Sequence, residues 1–215
     1  MLRKIILFLT LFLTTNVAVS VTVLKEDSKK IIYIDPGHGG YDGGCVSYNK
    51  DIIEKNVTLE VSMCLKKHLE TLGYKVLLTR DGDYALGNTK KKDIYGRVDL
   101  INKSDASLYI CIHANSFTSP KIKGAQTFYS PVNEKNEEIA KKILSKVKEL
   151  DETNNRVAKE MKGKYIIDNV TIPGCLIEVG FLTNMEDLNN LTNQDYIENL
   201  SLMISIAINE VLENS

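Results

Sequence analysis

An excess of charge of either sign is missing from this sequence. Its 215 residues sum to a formal net charge of −1, and the longest run of one sign is the "KKK" at 90–92. That gives no support to a phosphate-tracking nucleic-acid surface or to a strongly basic wall-binding one. Also missing are an internal repeat, a low-complexity linker and any C-x-x-C pair. Cys45, Cys64, Cys111 and Cys175 lie too far apart for a short disulfide framework. Cys64 and Cys111 fall in apolar patterns, so the expectation is four packing cysteines. A Cys45–Cys175 bridge stays open as the alternative. Histidine is scarce, with three in the chain, so the place of each is informative.

The first 20 residues stand apart. "MLRK" supplies a positive start, "IILFLTLFLTTNVAV" an apolar stretch, and "AVS" at 18–20 a small-residue cleavage site. This is an export signal, with an uncleaved membrane anchor as the competing reading. Membrane contact is expected only through this segment. Residues 21–30 read as a polar spacer and 31–215 as one catalytic-sized domain. Apolar residues at 43% and charged residues at 26% suit an ordinary globular core.

Within that domain, apolar runs alternate with helical periodicity. "IIYID", "YKVLLTR", "ASLYICIHAN", "GAQTFYS" and "IPGCLIEVGF" read as strands. Helices are expected over 53–72, closed by Gly73, over 93–104, over 134–150, and in two segments from 184 to 213. The alternation implies an α/β fold, a mixed and mostly parallel sheet with helices on both faces.

In such sheets function gathers at the carboxyl ends of strands. Three of those ends carry unusual polar residues: His38, His113 and Glu178. Two imidazoles suit Zn²⁺, which needs a third protein ligand in a catalytic site. Glu54, at the start of the helix after the glycine loop, is the candidate, although a glutamate there also suits the helix dipole. Glu178 interrupts the apolar run "CLIEVGF". Its alternatives are a salt bridge to Arg80 or Arg97, or a general base that takes a proton from water and later protonates a leaving amine. His68, mid-helix among Lys66, Lys67 and Glu70, reads as a partly exposed surface histidine. "GHGGYDGG" matches neither phosphate-loop pattern, so its glycines are read as a tight turn beside a metal or substrate.

Taken in order, "DPGHGGYDGG", "EKNVTLEV", "LLTRDGD", "SLYICIHANS" and "CLIEVGFLTN" resemble the zinc-dependent N-acetylmuramoyl-L-alanine amidases of the amidase-3 type. The resemblance spans roughly residues 31 to 212. It implies about six strands, a Zn²⁺ held by His38, Glu54 and His113, and Glu178 as the catalytic glutamate. Arg80, Arg97 and Asn115 are then structural or substrate-side. The implied substrate is peptidoglycan, with no nucleic-acid partner. Two departures stand out. Asp42-Gly43-Gly44-Cys45 replaces a Pro-Ala rim, and the segment 113–129 is too short for the regulatory helix that covers the metal in some relatives. The small format further resembles the spore-cortex amidases, which implies a first step toward muramic-δ-lactam. The absence of wall-binding repeats suggests a protein partner for localisation or activation. A degenerate peptidoglycan-binding module and a zinc carboxypeptidase on the stem peptide are the alternatives.

Overall fold

A computed structural model of the chain describes residues 30–213; the expected export segment lies outside the described residues. The elements are β1 (Ile31–Pro36), α1 (Glu54–Thr71), β2 (Lys75–Leu78), α2 (Lys90–Asn102), β3 (Leu108–Asn115) and β4 (Gln126–Tyr129). They continue with α3 (Asn136–Val147, prolonged by a 3₁₀ turn over Lys148–Leu150), β5 (Lys159–Glu160), α4 (Tyr165–Asn169), β6 (Gly174–Phe181), α5 (Met185–Leu191) and α6 (Gln194–Glu213). The strands form one sheet in the order β2-β1-β3-β6-β4-β5. β2, β1, β3 and β6 run parallel, and β4 and β5 run against them.

Alternation along the strands splits the core in two. Ile32, Ile34, Leu108, Ile110, Ile112, Cys175, Ile177 and Val179 face the larger layer built on α1, α3, α5 and α6. Tyr33, Tyr109, Cys111 and Leu176 face the smaller layer under α2 and α4. Period-two counting along β3 and β6 carries His113 and Glu178 to the face of Cys111 and Leu176, where the cover is thinner. The register pairs His113 with Glu178 across neighbouring strands.

The helix ends follow local chemistry. Gly73 has φ +92, and the Gly73 and Tyr74 amides return to the Glu70 and Leu69 carbonyls, a Schellman closure. α2 begins three residues before the expected start, because the Thr89 hydroxyl caps the Lys92 amide. The sequence reading missed β5, two exposed residues with no apolar pattern to read, and the five-residue α4. All four cysteines are free thiols. Cys175 is fully buried in the core while the Cys45 thiol donates to the Ala114 carbonyl, so the Cys45–Cys175 bridge is absent.

Candidate metal centre and catalytic cleft

β1 ends at Pro36, and the ladder to β3 runs one residue further through Gly37 N–H to Ile112 O at 2.9 Å. His38 then turns out of the sheet with φ +62, a left-handed conformation uncommon for a residue with a side chain. Such strain persists only where surroundings enforce it, and here they do. The Arg80 guanidinium donates to Pro36 O and Gly37 O, and the Arg97 guanidinium to Pro36 O and His38 O. The Thr58 hydroxyl, one turn into α1, also donates to Gly37 O at 2.8 Å.

The loop that follows places Glu54. The first amides of α1, on Glu54 and Lys55, donate to Cys45 O and Gly43 O, so the glycine loop caps the helix through its carbonyls. Glu54 Oε2 accepts from the Cys45 amide at 2.8 Å, and Oε1 from the Ala114 amide at 3.1 Å. Glycine is required for this closeness. A Cβ on Gly37 would stand 2.4 Å from the His113 ring. One on Gly44, which has φ +72, would stand 2.5 Å from Glu54 Oε2 and 2.7 Å from His38 Cδ2.

Three side chains therefore meet at one point. Glu54 Oε1 lies 3.1 Å from His38 Nε2 and 2.9 Å from His113 Nδ1. The two imidazole rings stand edge to face, with centroids 4.9 Å apart. Burial would raise the Glu54 pKa, but hydrogen bonds and charge from His113 and His38 outweigh it and hold the carboxyl well below its usual range. For His113, burial opposes protonation, and the Glu54 carboxylate with Glu178 overrides it, so the pKa is raised. Two imidazole nitrogens and one carboxylate oxygen within 4.8 Å of one another suit a divalent metal of zinc type with three protein ligands. The other nitrogen of His38, Nδ1, is 3.0 Å from Asp42 Oδ2 without a well-aligned hydrogen bond. A carboxylate there is the usual partner of a metal-bound imidazole.

Glu178 looks into the same cleft, a cavity of about 310 Å³ that also touches Asn115, Lys90, Lys164 and Tyr165. Its Oε2 is buried and has no hydrogen-bond partner. Burial, reinforced by the Glu54 charge, pushes its carboxyl pKa up to about 7. The salt bridge to Arg80 or Arg97, the alternative reading of Glu178, is not formed. Arg80 spends its donors on backbone carbonyls and Thr58, and Arg97 is paired with Asp35 and Asp93 at 2.9 Å each. Both arginines brace the His38 turn. Asn115, at the end of β3, accepts from the Ser116 amide through its own Oδ1 and lines the cleft.

Sequence reasoning missed Asp42 as a partner of His38, and the α4 flank. Asp42 was visible only as part of a glycine loop, and no spacing rule aims an aspartate back at a histidine four residues earlier. His68 is partly exposed, in line with its sequence reading, and its Nε2 lies 3.0 Å from Glu198 Oε2, a partner on α6 that the sequence did not reveal.

Residues 32–210 match the family model for N-acetylmuramoyl-L-alanine amidase. The chain is 42% identical over 185 residues to the germination-specific N-acetylmuramoyl-L-alanine amidase of Bacillus subtilis (strain 168), covering 82% of this chain and 77% of that one. It is 33% identical over 211 residues to a putative N-acetylmuramoyl-L-alanine amidase of Buchnera aphidicola, covering 83% and 94%. Among solved structures, the CwlD amidase from Clostridioides difficile, in complex with the GerS lipoprotein, superposes with a TM-score of 0.83 at 33% identity. That match covers 87% of this chain and 100% of that one. The catalytic domain of CwlV from Bacillus (Paenibacillus) polymyxa var. colistinus gives 0.77 at 26% identity, over 86% and 99%. This chain belongs to the N-acetylmuramoyl-L-alanine amidase family, the enzymes that cut the stem peptide from the glycan of peptidoglycan.

Proposed function

We propose that this amidase is zinc-dependent, that His38, Glu54 and His113 hold the ion, and that Glu178 is its general base and acid. The observation that carries the reading is the pairing of a three-donor cluster with an unpartnered carboxyl in one cleft. A bound zinc would lower the pKa of attacking water toward about 7 and polarise the carbonyl of the lactyl–L-alanine amide. Glu178, with no hydrogen-bond donor to compete for Oε2, takes the proton from water. It then hands that proton to the alanine nitrogen as the C–N bond breaks. Its placement opposite His113 in the strand register keeps it beside the metal ligands and out of the ligand set. The Asp42 carboxylate stands 3.0 Å from His38 Nδ1, on the far side of the ring from the Nε2 that would meet the ion.

Chelation is expected to abolish release of intact stem peptide from purified peptidoglycan, and added zinc to restore it. Product mass separates the amidase from a carboxypeptidase, since only an amidase frees the whole peptide from the sugar. His38→Ala and His113→Ala are expected to bind substoichiometric zinc; full occupancy in either variant would refute the ligand set. Gly44→Ala brings a methyl against both Glu54 and His38 at a left-handed position. It should weaken zinc binding about 10–100-fold, as perturbing the surroundings of metal ligands generally does. Wild-type affinity in a competitive chelator titration would refute the close-approach argument.

The biological reading goes one step further. The chain is proposed to be exported by its first 20 residues, with residues 31–215 as the catalytic domain acting outside the cytoplasm. The substrate is proposed to be spore-cortex peptidoglycan, where peptide removal is the first step toward muramic-δ-lactam. Likeness to a germination-specific relative supports this. A protein partner for localisation is supported by the structural relative that is bound to a lipoprotein. Deleting the gene should leave cortex without muramic-δ-lactam, and unchanged cortex composition would refute the role.

A further inference from the structure

Cys64 and His68 lie one turn apart on the same face of α1, and Glu198 faces them from α6. Cys64 Sγ, a His68 ring nitrogen and a Glu198 carboxylate oxygen all lie within 4.8 Å of one another. Cys64 is 7% exposed, and the His68 and Glu198 side chains are 23% and 35% exposed. The cluster is therefore closed on the core side and open to water on the other. We propose that it is a second metal site, which binds a thiophilic divalent cation such as Zn²⁺ through the Cys64 thiolate, the His68 imidazole and the Glu198 carboxylate, with water completing the shell.

The chemistry of the donors distinguishes this site from the first. Thiolate with imidazole selects zinc and its neighbours over magnesium or calcium. Two ligands at i and i+4 on one helix are a standard way to hold zinc. Tetrahedral zinc sets its ligand atoms roughly 3–4 Å apart, and His68 Nε2 already stands 3.0 Å from Glu198 Oε2. Coordination breaks the Cys64 S–H bond, forms an S–metal bond and releases the proton to solvent. Lys67 Nζ, 3.6 Å from Glu198 Oε1, is mostly exposed and free to swing away. Ten residues separate Cys64 from Glu54, about 15 Å along the helix axis, so the two centres are independent. An ion here would tie α1 to α6, the helix pair that covers the large core layer.

The test is Co²⁺ titration of the full chain in detergent. The proposed catalytic centre offers no thiolate, so a thiolate-to-cobalt charge-transfer band reports the second site alone. Two equivalents and that band are expected in the wild type. Cys64→Ser should lose the band and one equivalent, and His68→Gln should weaken the second equivalent at least tenfold. Cys45→Ser, which alters the thiol nearest the first centre, should keep the band. His68→Gln serves where Cys64→Ser fails to fold, since the His68 side chain reaches solvent while Cys64 is buried. Saturation without a thiolate band, or a band that survives Cys64→Ser, would overturn the proposal. Failure of the first centre alone would leave the band in place, so the two outcomes are separable.

Discussion

Glu178→Gln should reduce kcat on muramoyl-peptide substrates about 10²–10⁴-fold while leaving zinc occupancy unchanged, as expected for loss of a positioned general base. Glutamine keeps the shape of the side chain and its place beside His113 but cannot take a proton from water. The variant also carries a pH signature. In the metal-free protein the Glu178 pKa is pushed from an ordinary 4.5 to about 7, chiefly by burial. The folded state then holds this proton more tightly than the unfolded chain does. Its stabilising contribution is full below pH 4.5 and is lost as the pH rises through 7. Glutamine has no charge to bury. In the presence of chelator, Glu178→Gln should therefore be the more stable protein at pH 8, by on the order of 2 kcal/mol, and the gap should close below pH 4.5. Melting curves at the two pH values read this directly. Equal stability at pH 8 would mean that the carboxylate finds a partner in solution. For activity, the acid limb of the wild-type profile should lie at or below pH 7, because a cation held by His38, Glu54 and His113 would draw Glu178 lower. That limb should vanish in the variant. A residual rate near wild type would remove Glu178 from the mechanism.

The parts of this centre that the sequence displayed share one property: each polar residue lies in or just past the end of an apolar run. His38, His113 and Glu178 are conspicuous because β1, β3 and β6 are buried strands, where a titratable residue needs a reason. Glu54 was less legible. On spacing alone it competed with a dipole explanation, and the ordered motifs of the family raised it. Its convergence on both histidines depends on carbonyls of Gly43 and Cys45 capping α1, a contact no periodicity encodes. The shape of the sheet was readable for the same reason as the histidines, and its edge was not. β5 is a two-residue strand whose side chains, Lys159 and Glu160, are both exposed. The Cys64–His68–Glu198 cluster was invisible because 130 residues separate His68 from Glu198, and only the packing of α1 on α6 joins them. Local pattern reveals what one element buries, and it says nothing about which side chains two elements bring face to face.

The largest expected effect on stability belongs to Arg97. It is 3% exposed, and two carboxylates and two carbonyls receive its charge. Nε pairs with Asp93 and Nη1 with Asp35, each at 2.9 Å, while Nη1 and Nη2 reach Pro36 O and His38 O. Asp35 is itself buried, held by the Thr79 hydroxyl and the Cys111 thiol. Burial would raise its pKa, but the Arg97 charge and those hydrogen bonds outweigh burial and keep it low. Arg97→Met fits the volume and strands two buried carboxylates, a loss of about 3–5 kcal/mol. For a domain of this size that corresponds to roughly 10 °C in Tm. Arg97→Lys should recover only part, because an ammonium cannot serve two carboxylates and two carbonyls from one planar fork. The decisive comparison is the double variant Arg97→Met/Asp35→Asn. If the cost is the stranded charge, the double variant should be more stable than the sum of the two single losses predicts. Lowering the pH should act the same way, since protonating Asp35 removes the charge that Arg97→Met leaves behind. The wild type loses the stabilising contribution of Asp35 as pH falls through its depressed folded pKa, so the two curves should converge in acid. Strict additivity, or a gap unchanged at low pH, would mean that Arg97 acts through packing alone. Zinc affinity supplies the link to function. With its donor to His38 O gone, the strained turn at His38 loses one of the contacts that enforce it, and Arg97→Met should bind zinc more weakly even where it remains folded.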